Sequence, residues 1–378
     1  MKCKLLAAIV LALTTILIGC TMQNNNTKNN SNALIRAGLR NKCGYIDTTG
    51  HWVIRPQFDN VWDFTENGLA RVELNGKYGY IDKTGKWVIN PQFDGADSFA
   101  ENGLACVELN GKWGFIDTTG RWAINPQFDG AENFENGLAI VDLNDKSGYI
   151  DKTGKLVINP QFDWARDFAE NGLALVTLNG KFGFIDETGN WVITPQFDGA
   201  GSFKENGFAL VGLNGKEGFI DKTGNWVINP QFDEVWDFAE IGLAAVKLNG
   251  KWGYIDKTVK WVINPQFDDA GYFAENGLAP VKLNDKWGYV DKTGNWVIIP
   301  QFDDAGSFKE NGLARAKLNG QWGCIDETGT LVIHPQYDNI RIFENAIFFK
   351  QNGKWGIIDK NGNIVVKPQF DWVVSKYF

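Results

Sequence analysis

The residues of this chain that could do chemistry are carboxylates and tryptophans, and both recur on a fixed pattern. An Asp follows each W-G-Y-I-like tetrad and a second closes each P-Q-F-D. Paired carboxylates can hydrolyse glycosides, and acidic loops can hold Ca²⁺. Each of these aspartates, however, stands where the side chain has a local task. The first opens a turn and the second follows a proline corner, positions where Asp bonds nearby backbone N–H groups. The G-G-x-G-x-D calcium repeat is not matched. Only two histidines exist, His51 and His334, and neither has a third histidine or a nearby cysteine in sequence. A histidine-rich zinc site or a repeated Ser/His/Asp triad therefore has no residues to draw on, and both histidines read as surface substitutions. No catalytic, metal-binding or cofactor-binding residue is assigned, and no cofactor is expected. Of sixteen tryptophans, seven open a W-V-I segment and five precede a glycine, so their recurrence points to core packing. Four lie outside these slots: Trp62 and Trp236 before Asp-Phe, Trp164 and Trp372 just after Phe-Asp. A residue that differs between copies is not dictated by the repeat, and these four are the candidate ligand-facing aromatics.

The elements that must position these residues are β-strands. In Gly103–Leu109, Ala105, Val107 and Leu109 alternate with Cys106 and Glu108, the period of a strand with one buried face. Asn110-Gly111 follows, the pair best suited to a type I′ hairpin turn. A second strand, Trp113–Asp117, runs into a turn ending at Gly120, and a third, Trp122–Ile124, is expected to stop at Asn125-Pro126 because proline offers the ladder no N–H. Pro280 stands after L-A in one first strand, so that position is expected to face solvent or an edge. Val259 occupies the turn position that is glycine in the other units.

The glycine after the aromatic falls at Gly44, Gly79, Gly114, Gly148, Gly183, Gly218, Gly253, Gly288, Gly323 and Gly356, a fixed period of the kind that marks a solenoid, propeller or array. The shorter steps trace to G-A-E-N-F-E-N-G-L-A from Gly130 and to R-I-F-E-N-A from Arg341, and deletions confined to one segment mark it as a loop. These units resemble WG (KWG) repeats of bacterial proteins over Leu34 to Phe378. The resemblance implies a repeat architecture and no shared reaction. Ser147 and Glu217 replace the aromatic before glycine, and Ile241 replaces the Asn of E-N-G-L-A.

One unit cannot bury both faces of a three-stranded sheet, so neighbours must stack. The fold class is all-β: ten three-stranded antiparallel meanders. They form an open superhelical array or, alternatively, a β-propeller, with a short fourth strand offered by Phe-Asp-x-Ala-x-x-Phe. Blades have four strands and rings commonly four to eight blades, so ten units favour the open array. The divergent first and last units fit caps.

Residues 1–19 have the pattern of a lipoprotein signal peptide: Lys2 and Lys4 precede the apolar run Leu5–Leu17, too short to span a bilayer comfortably. The run ends in Leu17-Ile18-Gly19-Cys20, which resembles the bacterial lipobox and implies acylation (palmitate-class chains) at Cys20, a stable membrane anchor. Residues 20–33 continue as an Asn-rich tether without apolar residues over Gln23–Asn32, and 34–378 form the repeat domain. Without Lys2 and Lys4, 35 basic residues face 45 acidic ones, a balance that disfavours nucleic acid as a partner. Cys43, Cys106 and Cys324 read as buried free thiols. These observations lead to a non-catalytic, lipid-anchored envelope protein, facing periplasm or cell exterior, that binds a protein or glycan through repeated patches. The alternative is a carbohydrate-active enzyme, disfavoured because no unrepeated acidic constellation is seen in any one unit.

Overall fold

A computed structural model describes residues 34–343 and 346–374. The leader, Cys20 and the Asn-rich tether lie outside the described residues. Forty strands, β1 to β40 in chain order, form ten four-stranded antiparallel sheets among the described residues, and no helix is present there. In the second sheet the order is β4 (Asn60–Val61), β5 (Leu69–Leu74), β6 (Lys77–Asp82), β7 (Trp87–Phe93), and the next eight repeat that plan.

The local reasons are in the sequence. Asn75 and Gly76 take φ of 54° and 72°, so β5 doubles back into β6 through a two-residue turn. Asp82 then organises the next turn: its Oδ1 accepts the N–H of Thr84 at 2.9 Å, the Thr84 hydroxyl at 2.6 Å and the N–H of Lys86 at 3.1 Å. The glycine of the W-G pair is required by a close backbone crossing. A Cβ on Gly79 would lie 2.6 Å from the carbonyl oxygen of Ile89, at the point where the β6–β7 register shifts.

Three expectations are corrected. The meander is not three-stranded but includes the offered fourth strand at the Phe-Asp-x-Ala segment, two residues long in seven blades and three to five in the others. The third strand does not stop at Asn-Pro but runs through proline to phenylalanine; as the outer edge of its sheet it needs no donor there. The arrangement is the ring and not the open array. The first sheet is composite, with β3 (Trp52–Phe58), β2 (Lys42–Ile46) and β1 (Ile35–Leu39) joined by β40 (Trp372–Val374) from the far end of the chain. Arg36, Ala37 and Gly38 pair with Val374, Val373 and Trp372. The divergent ends are therefore two parts of a closure and not caps. Arg40 and Asn41 take φ of 52° and 62°, so they make the first unit's hairpin turn without glycine.

Each sheet packs one face on the next. Between the second and third blades, Tyr80, Ile89 and Phe93 meet Ala96, Phe99, Ala105, Val107 and Ile116. On the strands themselves the small Ala96, Ala105 and Val107 stand on the short strand and its neighbour and Ile89 and Phe93 on the seven-residue strand, the taper that places the short strands at the axis and the long ones at the circumference. All seven W-V-I tryptophans stand edge-on to the P-Q-F phenylalanine of the preceding blade, centroids 5.5 to 5.8 Å apart. Trp52 against Phe370 carries this contact across the closure. The P-Q-F-D aspartate is a second stitch. Asp94 takes Lys77 of its own blade on Oδ1 and the Asn110 N–H of the next on Oδ2, and Asp371 does the same for Lys354 and the Arg40 N–H, closing the ring.

Candidate ligand-binding rim

The packing absorbs what repeats and some of what does not, since Cys106, Ile140, Leu175, Ala245 and Phe348 are buried between blades; other unit-specific residues collect at the axial rim. The short strand and the neighbouring face of the second strand hold Trp62, Asp97, Glu132, Arg166, Gly201, Trp236, Gly271, Gly306 and Arg341 at one equivalent position. Arg36, Arg71, Cys106, Ile140, Leu175, Leu210, Ala245, Pro280, Arg315 and Phe348 occupy another. A third, on the same face, runs Glu73, Glu108, Asp142 in blades two to four and Lys247, Lys282, Lys317, Lys350 in blades seven to ten. In a ring of ten, blades two to four lie opposite seven to nine. The lysines are partly neutralised within their own blade, as Lys247 is by Glu234 at 2.5 Å. In the acidic arc Glu73 accepts from the Asn60 side-chain amide at 2.6 Å, while Glu108 and Asp142 face glycines, and a Cβ on Gly130 would lie 2.6 Å from an Asp142 carboxylate oxygen.

The four singled-out tryptophans all reach this rim, in different states. Trp164 and Trp236 are each 39% exposed. Trp62 is half-buried, with the Arg71 guanidinium stacked 3.9 Å over its ring. Trp372 is half-buried in the closure, where a Cβ on Gly38 would come within 2.1 Å of its indole nitrogen. The structure thus leaves two as open aromatic faces and turns two into packing.

Two groupings join residues from consecutive units. The first is an open recess of about 390 Å³ lined by Glu132, Trp164, Arg166, Asp167 and Ser202. Burial, then Glu132 and Glu135, pushes the Asp167 carboxyl up to about 6. Desolvation, then Asp142, lifts Glu132 above the ordinary range. Arg166 sits 5.3 Å over the Trp164 ring. No single unit carries this cluster, which is why reading units one at a time missed it; comparing equivalent positions in consecutive units would have found it. The second is the exposed pair Trp236 and Tyr272, centroids 4.8 Å apart at 84°, with Trp252 behind at 6.2 Å.

The remaining candidates are structural in position. The turn aspartates hold backbone N–H groups on Oδ1, and the P-Q-F-D aspartates hold a lysine and a hairpin N–H, so both sets have a structural task. His51 is exposed with Asp47 3.9 Å away, and no cluster of three metal-ligating side chains occurs among the described residues. Cys43, Cys106 and Cys324 are free and buried; burial raises all three thiols, Cys43 to about 11.

Sheet order and closure define a ten-bladed β-propeller. The chain belongs to the WG repeat family: ten consecutive segments from residue 44 to residue 375 match the pattern described as WG containing repeat. No curated protein matches it. Among solved structures it is similar to a eukaryotic initiation factor, 12% identical, covering 91% of this chain and 97% of that one with a TM-score of 0.53. Two others are the extracellular domain of the one-component system BT4673 from B. thetaiotaomicron (11% identical, 88% and 64% covered, TM-score 0.32) and apo AztD from Citrobacter koseri (11%, 90% and 96%, TM-score 0.35). At these identities the likeness concerns the fold alone, and only the first has a TM-score that carries it. A β-propeller built of repeats is compatible with a binding scaffold.

Proposed function

We propose that this chain is an exported, lipid-anchored envelope protein whose propeller is a non-catalytic scaffold binding a protein or glycan at its axial rim. One observation carries the reading. Unit-specific aromatic and charged side chains, the exposed Trp164 and Trp236 among them, lie along the short strands and their neighbours, while the repeated residues are consumed by packing between blades. Aromatic surface with polar neighbours is the chemistry of recognition, and several modest contacts on one rigid ring add through multivalency. The test is capture from envelope extract and on a glycan array by the chain and by Trp164→Ala and Trp236→Ala variants. Ligands lost with both variants support the rim, and unchanged capture overturns it. The anchor is tested separately. Cys20→Ser should move the protein from the detergent phase to the aqueous phase, and retention in detergent would sink the lipoprotein reading.

A second reading, glycoside hydrolysis, draws on the recess at Trp164, where one carboxyl is raised to about 6 beside a second on Glu132. Glu132 is raised as well, and a raised carboxyl is what a general acid needs. Turnover of an oligosaccharide abolished by Asp167→Asn and Glu132→Gln would favour it, and an absence of turnover leaves the scaffold.

A further inference from the structure

Resting on the scaffold reading, we propose that blades seven to nine carry a dedicated site for a lysine- or arginine-bearing polypeptide segment, built on the Trp236–Tyr272 corner. Three unit-specific departures converge there. Trp236 stands where neighbouring units have Gly201, Gly271 and Gly306; Tyr272 stands where Ser98, Ser202 and Ser307 are found; Ile241 replaces a loop asparagine. All three side chains are exposed, at 39%, 39% and 36%. Trp62 fills the Trp236 position in the second blade, but there the Arg71 guanidinium covers its ring, and no other blade combines an aromatic at that position with the tyrosine and isoleucine.

Tyr272 and Ile241 line one open recess of about 490 Å³ between the loops of three consecutive blades. Its charged lining is Glu240, Glu275, Glu310 and Glu327 against a single Lys309. None of the four glutamates forms a salt bridge with a described residue. Of the lysines nearby, Lys247 is engaged with Glu234 at 2.5 Å and Lys204 with Asp237 at 3.7 Å, while the Lys257 side chain lies beside Gly242. The recess is therefore net acidic beside two aromatic rings set at 84°. Charge decides among occupants. An anionic glycan is repelled, a neutral one gains nothing from the field, and a cation gains from both the carboxylates and the ring faces. The apolar Ile241 floor and the width across three blades suit a chain segment carrying such groups.

The test titrates the full chain, in detergent, with an acetylated and amidated tetralysine, its tetra-arginine counterpart and the neutral sugar chitohexaose, each at about 50 and 300 mM salt. The expected result is binding of the cationic peptides that weakens as salt rises. Tyr272→Ser or Trp236→Gly, residues the other units already use, should weaken it roughly threefold to thirtyfold. Glu275→Gln with Glu310→Gln should weaken it and flatten the salt dependence, with melting temperatures of all variants showing intact rings. Cationic binding that these variants leave unchanged overturns the proposal, as does the absence of such binding. Chitohexaose binding lost in the same variants without salt dependence overturns the cationic occupant while leaving the scaffold standing.

Discussion

At the scale of single residues, the clearest reading from sequence was Val259. It holds φ at 67°, where the other nine units place glycines at 82° to 89°. Left-handed backbone costs an L residue about 1–2 kcal/mol, against about 0.5–1 kcal/mol for glycine's greater unfolded freedom. Val259 also rests on the cluster around Ile228, a contact the replacement gives up. Val259→Gly should still stabilise, by roughly 0.5 kcal/mol, and calorimetry should show a melting point higher by about 1 °C; a fall would mean the lost packing wins. Asp167 carries the pH dependence. Its folded value, about 6, lies above that of the unfolded chain, so between the two values the folded state holds the proton more tightly and stability falls as pH rises. Asp167→Asn should therefore raise the melting point at pH 8 and lose that advantage by pH 4, and equal gains at both would place the cause elsewhere. The repeated tryptophans were legible as packing because ten copies give ten chances to see a slot. The state of the unrepeated ones was not, since burial of Trp62 and Trp372 depends on Arg71 and Gly38, partners from other strands.

At the scale of elements, hairpins and turns could be read because Asn-Gly and Asp-x-x-Gly fix backbone angles locally. The fourth strand could be offered only as a short extension of the unit, because two residues have no period. Pro280 was informative about its N–H and misleading about its side chain. Its carbonyl accepts from Gly271 at 2.8 Å while the short strand ends before reaching its nitrogen, yet Cys106 and Leu175 at the same position are buried. Even a deletion obeys local chemistry: losing one residue turns the fourth unit's loop into Asn136-Gly137, with φ of 49° and 88° and Glu135 paired to Leu138. Between elements, the tyrosine of W-G-Y latches blades together, as Tyr289 does by donating to the Gly306 carbonyl at 2.7 Å. Tyr289→Phe should cost about 1–2 kcal/mol by stranding a buried group. Phe184, with Gly201 as the equivalent acceptor, allows the reverse test. Phe184→Tyr should stabilise by about 1 kcal/mol, and a loss in denaturant melts would mean the latch does not transfer between blades.

At the scale of the whole molecule, the closing contact joins residues more than 330 positions apart, Arg36 to Val374, and no local pattern announces it. Unit count argued for an open array because fewer blades are usual, but blade number follows from how far each sheet turns from the last, which the Phe–Trp contact sets at the outer edge and the alanines at the inner one. Closure then removes two exposed sheet faces and adds one more copy of the ring and aspartate stitches, Phe370 on Trp52 and Asp371 on Arg40, with Trp372 over Gly38 besides. A linear repeat array loses stability in proportion to the units removed, whereas a ring loses both ends of its closure with the first cut. Chains starting at Leu173 or Leu243 should therefore aggregate or self-associate through bare blade faces. A circular permutant that joins residue 374 to residue 34 by a short linker and opens between the fifth and sixth blades keeps every interface. It should be monomeric by sizing, β-rich by circular dichroism and within a few degrees of the parent's melting point. Soluble monomeric truncations that melt in proportion to their length, together with a permutant that fails to fold, would contradict the closed ring.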